Sequence, residues 1–176
     1  TMSSWMLRSA QLLEPLYMRL KGSLLAEPAI FADETPLKVI KAEKATSYMW
    51  VYCCGSDRPS EKTNIVLYDY HNSRAAQCAI DFLDGYQGYM HVDGYKAYES
   101  TQAILVACLA HIRRKFIDVK KLQGKKKTGK VDIVLNLIGK LYGIEKRIKG
   151  KSVEEKLAIF EIVLRLEHIE NFCSEK

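Results

Sequence analysis

Two aspartates stand where predicted strands end. Asp33 closes the apolar run 29–33, and Asp93 closes the run 89–93. Because successive side chains of a strand alternate between its faces, a carboxylate at a strand end can leave the sheet without entering the core. Two close carboxylates repel each other unless a cation lies between them, and Mg²⁺ accepts such ligands while leaving positions for water and phosphate. The pair therefore suggests a metal site, although an aspartate after a strand can also simply begin a turn.

A third acid, Glu145, falls on a predicted helix at 131–149. At about 100° per residue, it shares a narrow stripe with apolar side chains. These are Val134, Ile138, Leu141 and Ile148. An ionised carboxylate in the middle of an apolar face needs a cation, a metal or a raised pKa. The alternative is a glutamate near the helix end that reaches solvent or pairs with Arg147 or a lysine.

Three other glutamates are weaker candidates for the third acid. Glu34 follows Asp33 and should point to the opposite face of the strand. Glu99 lies in a short polar turn, and Glu155 stands three residues after Ser152, which is the spacing of a helix capping box. Glu145 therefore remains the preferred third ligand.

The sequence gives less support to a zinc site or to catalysis by a serine or cysteine nucleophile. No two histidines stand at metal-ligand spacing, which argues against a zinc site. The histidines are His71, His91, His111 and His168. His91 lies two residues before Asp93, on the same strand face, so we expect it near the site. The sequence has no G-x-S-x-G motif, and Cys108 falls in a predicted core strand.

The bulk composition is that of one intracellular domain. The chain has 176 residues, of which 48% are hydrophobic, enough for one core. Its five cysteines are odd in number and form no C-x-x-C motif, so we expect reduced thiols and a cytoplasmic protein. No apolar run approaches the roughly 18 residues that a membrane span needs, and the N-terminus lacks the apolar core of a signal peptide.

Positive charge is concentrated between residues 111 and 130. The formal net charge of the chain is +6, and this segment holds nine basic side chains against the single acid Asp118. They are Arg113, Arg114, Lys115, Lys120, Lys121, Lys125, Lys126, Lys127 and Lys130. Such a cluster favours a polyanionic partner, because each neutralised phosphate releases counterions. A solvated lysine-rich loop is the alternative.

The predicted elements form an α/β series. They are a helix at 3–21, which Pro15 could kink or split, strands at 29–33, 48–54 and 63–70, a helix at 73–83 with Ser73 as a candidate cap, a strand at 89–93, a helical turn at 95–100, a strand at 103–108, and helices at 111–121, 131–149 and 153–172. The second and third strands should form an antiparallel hairpin. The helix before the fourth strand favours a crossover into a mixed five-stranded sheet.

Six short phrases, in order along nearly the whole chain, resemble the insertion sequence 66 family of bacterial transposases. They are Ala32-Asp33-Glu34-Thr35-Pro36-Leu37, Met49-Trp50-Val51-Tyr52, Val66-Leu67-Tyr68-Asp69-Tyr70 with Ser73-Arg74, Val92-Asp93-Gly94-Tyr95, Cys108-Leu109-Ala110-His111-Ile112-Arg113-Arg114-Lys115-Phe116, and Leu141-Tyr142-Gly143-Ile144-Glu145. The resemblance implies a three-layer ribonuclease H-like fold, whose order the predicted elements follow, with an Asp-Asp-Glu triad of Asp33, Asp93 and Glu145.

The resemblance also implies cofactors and partners. We expect two Mg²⁺ or Mn²⁺ ions, with Asp33 bridging both while Asp93 and Glu145 each hold one, and no covalent enzyme intermediate. DNA, as transposon ends and target, is the expected partner in a homo-oligomeric synaptic complex at the bacterial nucleoid. Arg113, Arg114 and Lys115, with Lys125, Lys126 and Lys127, could grip its phosphates or instead pair with acids. His111 could touch the scissile phosphate or cap its helix.

The predicted domain organisation is a leading helical segment at 1–25, a catalytic core at 26–150 with a basic insertion at 111–130, and a C-terminal helix at 151–176. Family members are expected to be longer, with an N-terminal coiled coil and a DNA-end-binding region that this chain lacks. Two rival functions stay open. One is a nuclease that only hydrolyses DNA, and the other is a DNA-binding or assembly fragment with an incomplete site.

Overall fold

The computed structural model describes residues 1–40, 46–55, 64–123, 129–152 and 154–159. Its elements are α1 (Met2–Leu25), β1 (Ala29–Leu37), β2 (Ser47–Cys54), β3 (Ile65–His71), α2 (Ala76–Leu83), β4 (Tyr89–Val92), a short 3₁₀ helix (Lys96–Ser100), β5 (Ile104–Ala107), α3 (Leu109–Gln123) and α4 (Lys130–Ile148). Residues 154–159 are also helical. The rest of the helix expected at 153–172 lies outside the described residues.

The five strands form one mixed sheet in the order β3-β2-β1-β4-β5. The hairpin of β2 and β3 is antiparallel, as predicted, and β2 also pairs antiparallel with β1. The strand β4 runs parallel to β1 on one side and to β5 on the other. The predicted α/β class with a mixed five-stranded sheet and flanking helices is therefore confirmed.

One face of the sheet, here called the core face, carries the main hydrophobic core. Side chains of β1 to β4 on this face pack with α2 and the C-terminal end of α1. At its centre the rings of Tyr52 and Phe82 stack with their centroids 3.7 Å apart. The largest fully buried side chains of this core are Trp50, Tyr52, Tyr98, Leu24, Ile30, Leu83 and Met90. Burial of this apolar surface is what holds β1 and β4 against α2.

The other face, here called the second face, carries Phe31, Asp33 and His91. Its side chains further along the sheet are partly open to solvent, since Tyr68 is 62% exposed and Tyr89 is 53% exposed. Alternation along β1 puts Asp33 on this face and Glu34 on the core face. The prediction that these two neighbouring acids point in opposite directions is confirmed by their pairing partners.

Three local predictions need correction. The strand β1 continues past Asp33 to Leu37 because β2 pairs with it throughout. Pro36 is tolerated there, since β1 has no paired neighbour on its β4 side beyond Phe31.

The helix α1 runs unbroken through Pro15, which is exposed, so solvent can hydrate the carbonyl that loses its partner. Ser73 does not cap α2; its hydroxyl accepts the N–H of Ala75 in the preceding turn.

The described residues fall into two compact units. The first contains the described residues up to Arg114, and the second contains those from Lys115 onward.

The four cysteines in the described ranges are free thiols, as predicted, while Cys173 lies outside those ranges. Within the described part of the chain, no helix combines the length and the apolar character that crossing a membrane would require.

Candidate active site

Asp33 and Asp93 lie just beyond the segment over which the parallel strands β1 and β4 pair. The register of β1 and β4 pairs Phe31 with His91, and each aspartate lies two residues further along its own chain segment. Adjacent strands are about 4.8 Å apart, so residues at equal register lie next to each other across the sheet. The two acids that the sequence singled out thus both come at the same end of this paired segment. The Asp33 side chain is 58% exposed and is open to a ligand.

Two stacked rings lie beside these acids on the second face. The rings of Phe31 and His91 have centroids 4.7 Å apart and are tilted by 24°. His91 therefore lies near the site, as its spacing from Asp93 predicted. Phe31 was not identified from the sequence, because a phenylalanine in an apolar run is not distinguishable from a core residue until the register is known.

A tight turn sets the position of Asp93. Gly94 has a φ of +89°, a left-handed conformation that side chains other than glycine rarely adopt. This turn lets the Tyr95 backbone N–H donate to Asp93 Oδ1 over 2.8 Å. On β1, the Glu34 backbone N–H donates to Asp33 Oδ1 over 2.9 Å. Each aspartate thus has one oxygen held by a backbone amide, and neither needs a side-chain partner for that contact.

His111 joins the site from the first turn of α3. Its Nε2 lies 3.9 Å from Asp33 Oδ2. The residue before α3, Cys108, donates its N–H to the Val92 carbonyl over 2.8 Å, which leads the chain from β5 across the end of β4. His111 Nδ1 is buried and has no hydrogen-bond partner among the described residues. The sequence offered two roles for His111, and this contact places its ring beside Asp33.

The core face holds a second carboxylate at the same level of β1. The Glu34 side chain is 1% exposed and pairs with Arg74, whose Nε donates to Glu34 Oε1 over 3.0 Å. Arg74 Nη2 donates to the same oxygen. The Tyr98 hydroxyl donates to Glu34 Oε2 over 2.7 Å. Both carboxylate oxygens are therefore satisfied in the interior, and the hydrogen bond from Arg74 to Glu34 raises the pKa of Arg74.

Arg74 connects this buried group to the Asp93 turn. Its guanidinium carbon lies 3.7 Å from the centroid of the Tyr95 ring, and the Tyr95 hydroxyl donates to the Arg74 carbonyl over 2.7 Å. Three of the phrases noted in the sequence, Asp33-Glu34, Ser73-Arg74 and Asp93-Gly94-Tyr95, meet here. The sequence did not predict this network; its signal was a glutamate on the core face, which has to find a cation.

The basic side chains of α3 divide into two groups. Arg113, Arg114 and Lys115 are exposed, and they form no ion pair with any residue that the structure describes. Lys120 instead pairs with Asp132, and Lys121 Nζ lies 2.8 Å from Asp118 Oδ1. Lys125, Lys126 and Lys127 lie outside the described residues.

Glu145 has a different environment from the expected one. It is exposed on α4, whereas Ile138, Ile144 and Ile148 are buried. Around the helix Glu145 lies between the buried residues Ile138 and Ile148, and it is nevertheless exposed near the end of α4. The expectation that its carboxylate is buried in the apolar face is wrong, so burial does not require a cation at Glu145, and the alternative of a glutamate that reaches solvent near the helix end is the one observed. Glu145 belongs to the second compact unit.

The site can be tested for its fit to a divalent cation. Among the residues that the structure describes, no three histidine, cysteine, aspartate or glutamate side chains cluster closely enough to form a metal site by themselves. Mg²⁺ is often bound through only one or two carboxylates, with water and phosphate completing its shell. Asp33 and Asp93 suit that mode, because both supply hard oxygen donors at the same end of the paired β1–β4 segment and the Asp33 side chain faces solvent.

These features define an α/β domain with two carboxylates just beyond the paired segment of neighbouring parallel strands. Residues 1–166 match the family described as "Transposase IS66 family". The chain therefore belongs to this family, and the resemblance identified from the six phrases is confirmed. Membership supports a transposase-related function.

Relatives with curated sequences are similar over most of the chain. "Uncharacterized protein y4jD" of Sinorhizobium fredii is 35% identical over 171 residues, covering 89% of this chain and 33% of that relative. "Uncharacterized protein y4qI" of the same organism is 30% identical over 143 residues, covering 72% of this chain and 26% of that relative. The chain thus spans about a third of the length of the curated relatives it matches. No solved structure is a convincing match to the chain.

Proposed function

We propose that this chain carries the catalytic core of a transposase with a ribonuclease H-like fold, which cleaves DNA phosphodiesters and transfers the cut strand. The observation that carries the proposal is that Asp33 and Asp93 each follow by two residues the last pair, Phe31↔His91, of the parallel neighbours β1 and β4. The strand order β3-β2-β1-β4-β5 also supports it. The proposed core comprises residues 26–150, with α1 as a leading helical segment.

Asp33 and Asp93 are proposed to hold divalent metal, with Mg²⁺ or Mn²⁺ as the cofactor and two ions for each site. Bound metal supplies Lewis-acid stabilisation of the phosphate and activates the attacking oxygen. The two aspartates supply negative charge and orient the bound group, and the amides of Glu34 and Tyr95 hold one oxygen of each. Glu145 stays the proposed third ligand, on the strength of the Leu141-Tyr142-Gly143-Ile144-Glu145 phrase.

DNA is the proposed substrate and partner. Arg113 and Arg114 follow His111 on α3 and are exposed without acidic partners in the described ranges, so they are available to phosphates. Such contacts position a DNA strand and carry no sequence information. His111 is proposed to contact the scissile phosphate, because its ring lies beside Asp33. A homo-oligomeric synaptic complex is proposed for the full-length protein.

The test is Mn²⁺-dependent nicking of plasmid DNA by this chain and by Asp33→Asn and Asp93→Asn variants. Asparagine keeps an oxygen for the amide contacts of both positions but loses the charge. We expect each variant to lose several kcal/mol of transition-state stabilisation, at least about 100-fold in rate. Asp81→Asn is the control, since Asp81 is an exposed acid that accepts a hydrogen bond from Gln77 on α2. Equal nicking by all four proteins would refute the assignment.

Two further measurements separate this function from its rivals. A pre-cut DNA end incubated with target DNA yields joined products with a transposase and none with a nuclease that only hydrolyses. A chain that binds DNA but never nicks it would be a binding or assembly module.

A further inference from the structure

The backbone ladder does not hold Asp33 and Asp93 together. Pairing between β1 and β4 runs from Ala29↔Tyr89 to Phe31↔His91 and ends there. Both aspartates lie two residues beyond the last pair. The Asp33 segment is still paired with β2, through Asp33↔Val51, whereas Asp93 follows the end of β4. Because like-charged carboxylates repel each other, the Asp93 turn needs a further contact to stay in place beside Asp33.

The Glu34–Arg74 pair lies at the level where the ladder has ended. Glu34 is the direct neighbour of Asp33 on β1, and Arg74 comes from the segment between β3 and α2. Arg74 bonds to Glu34 on one side and stacks on the Tyr95 ring on the other, while the Tyr95 N–H holds Asp93. An unbroken path of contacts thus joins the two aspartates through the core face.

We propose that Glu34 and Arg74 are positioning residues, which hold Asp33 and Asp93 at the separation that a divalent cation needs before metal and DNA arrive. This inference rests on the proposed function of the same site. Metal ligands that are fixed in advance do not have to be ordered against their mutual repulsion when the cation binds. The groups that orient such ligands typically contribute 10-fold to 100-fold in metal affinity or activity.

Tyr98 gives the restraint a second anchor. Its side chain is fully buried, and its hydroxyl bonds to the Glu34 oxygen that Arg74 does not use. The Tyr98 ring also meets the Tyr95 ring edge to face, with centroids 6.2 Å apart. Tyr98 thus contacts both Glu34 and Tyr95. Removing its hydroxyl should loosen Glu34 without changing the shape of the core.

Tyr86 provides a matched control. It is also a buried tyrosine, 7% exposed, and its hydroxyl donates to the carbonyls of Glu27 and Tyr89 over 2.9 and 3.1 Å. These acceptors lie where β1 and β4 begin, at the opposite end of the paired segment from the aspartates. Tyr86→Phe therefore removes comparable buried hydrogen bonds from the same two strands but leaves the carboxylate end intact.

The experiment measures Mn²⁺ binding to the metal-free chain by calorimetry, without DNA, together with urea unfolding. We expect Arg74→Lys to weaken Mn²⁺ binding by about 10-fold to 100-fold, and Tyr98→Phe to weaken it by a smaller factor in the same direction. Tyr86→Phe should lower stability and leave Mn²⁺ affinity unchanged. If Arg74→Lys does not fold, Tyr98→Phe carries the test.

The outcomes separate the inference from the proposed function. If Asp33→Asn and Asp93→Asn lose Mn²⁺ binding while Arg74→Lys and Tyr98→Phe bind as the wild type does, the positioning role is refuted and the metal site stands. If Tyr86→Phe weakens binding as much as Tyr98→Phe, the effect is one of general stability and the positioning role is again refuted. If the wild type binds no Mn²⁺, or the aspartate variants bind it unchanged, the proposed function fails and the inference fails with it.

Discussion

Asp33 and Glu34 are adjacent carboxylates on β1 with opposite environments. The Asp33 side chain is 58% exposed and lies 3.9 Å from His111, whereas the Glu34 side chain is 1% exposed and is held by Arg74 and Tyr98. This contrast arises because consecutive side chains of a strand point to opposite faces of the sheet. One acid is thus available to a ligand, while its neighbour is committed to the interior.

This contrast predicts different stability effects at the two positions. Glu34→Ala would leave the buried Tyr98 hydroxyl without its acceptor and Arg74 without its partner, so we expect it to lower the free energy of unfolding by about 2 kcal/mol. Asp33→Ala should change it by no more than about 0.5 kcal/mol, because the side chain is on the surface. Urea unfolding of the metal-free proteins measures both. Equal losses would contradict the assigned roles.

His111 should matter for activity and not for folding. We expect His111→Gln to slow Mn²⁺-dependent nicking by about 10-fold to 100-fold, the range seen when a group beside a metal ligand is replaced. His71→Gln is the control, since the His71 Nε2 bonds to Asp69 Oδ2 over 2.8 Å on β3, two strands away from β1. Similar losses in both variants would show that the effect does not come from proximity to Asp33.

The basic residues of α3 should differ in their contribution to DNA binding. Arg113→Ala and Arg114→Ala are each expected to weaken binding to DNA of any sequence and to reduce the slope of log affinity against log salt by about 0.9. Lys121→Ala should have a smaller effect, because Lys121 already pairs with Asp118. Fluorescence anisotropy at several salt concentrations measures the slopes. A larger change for Lys121→Ala than for the arginines would contradict the proposed interface.

Two buried tyrosines predict a loss of stability at alkaline pH. Burial is the main cause that raises the pKa of Tyr52 and of Tyr98 far above its ordinary value. In the unfolded chain both ionise near pH 10, so above that pH the unfolded state binds fewer protons and folding stability falls as pH rises. The expected slope is about 1.4 kcal/mol per pH unit for each tyrosine.

Urea unfolding at a series of pH values from about 9 upward measures this loss of folding stability, which begins near the tyrosine pKa of the unfolded chain. Tyr52→Phe should remove one tyrosine's share. The same variant deletes a buried hydroxyl that has no hydrogen-bond partner among the described residues, so its stability near neutral pH should stay equal or rise. An unchanged alkaline slope in Tyr52→Phe would show that Tyr52 does not stay protonated in the folded state.

Local pattern predicted most elements but misjudged where β1 stops. Pro36 suggested a strand end, because proline cannot donate a backbone hydrogen bond. The strand continues because β2 pairs with it up to Leu37, while its other edge is open beyond Phe31. Which edge of a strand is paired depends on its neighbours in the sheet, and no local pattern contains that information.

The helix that carries Glu145 shows a similar limit. Periodicity correctly predicted a helix, observed as α4, but it did not predict that one position within the apolar stripe is exposed. A stripe of apolar residues is wider than one side chain, so the packing partner decides which part of it is covered. Glu145 lies between buried Ile138 and Ile148 around the helix and is exposed.

The sequence by itself determined the mixed α/β class and the family and named the two candidate aspartates, because strand periodicity and short phrases are local properties of the chain. Only the tertiary structure decided that His111 lies beside Asp33 and that Glu34, Arg74 and Tyr95 join the two aspartate segments. The contacts of His111 with Asp33, of Arg74 with Glu34 and of Arg74 with Tyr95 join residues that are between 21 and 78 positions apart in the sequence. Their contacts follow from the register of β1 with β4 and from the path of the chain between strands, which are set by burial of the core as a whole.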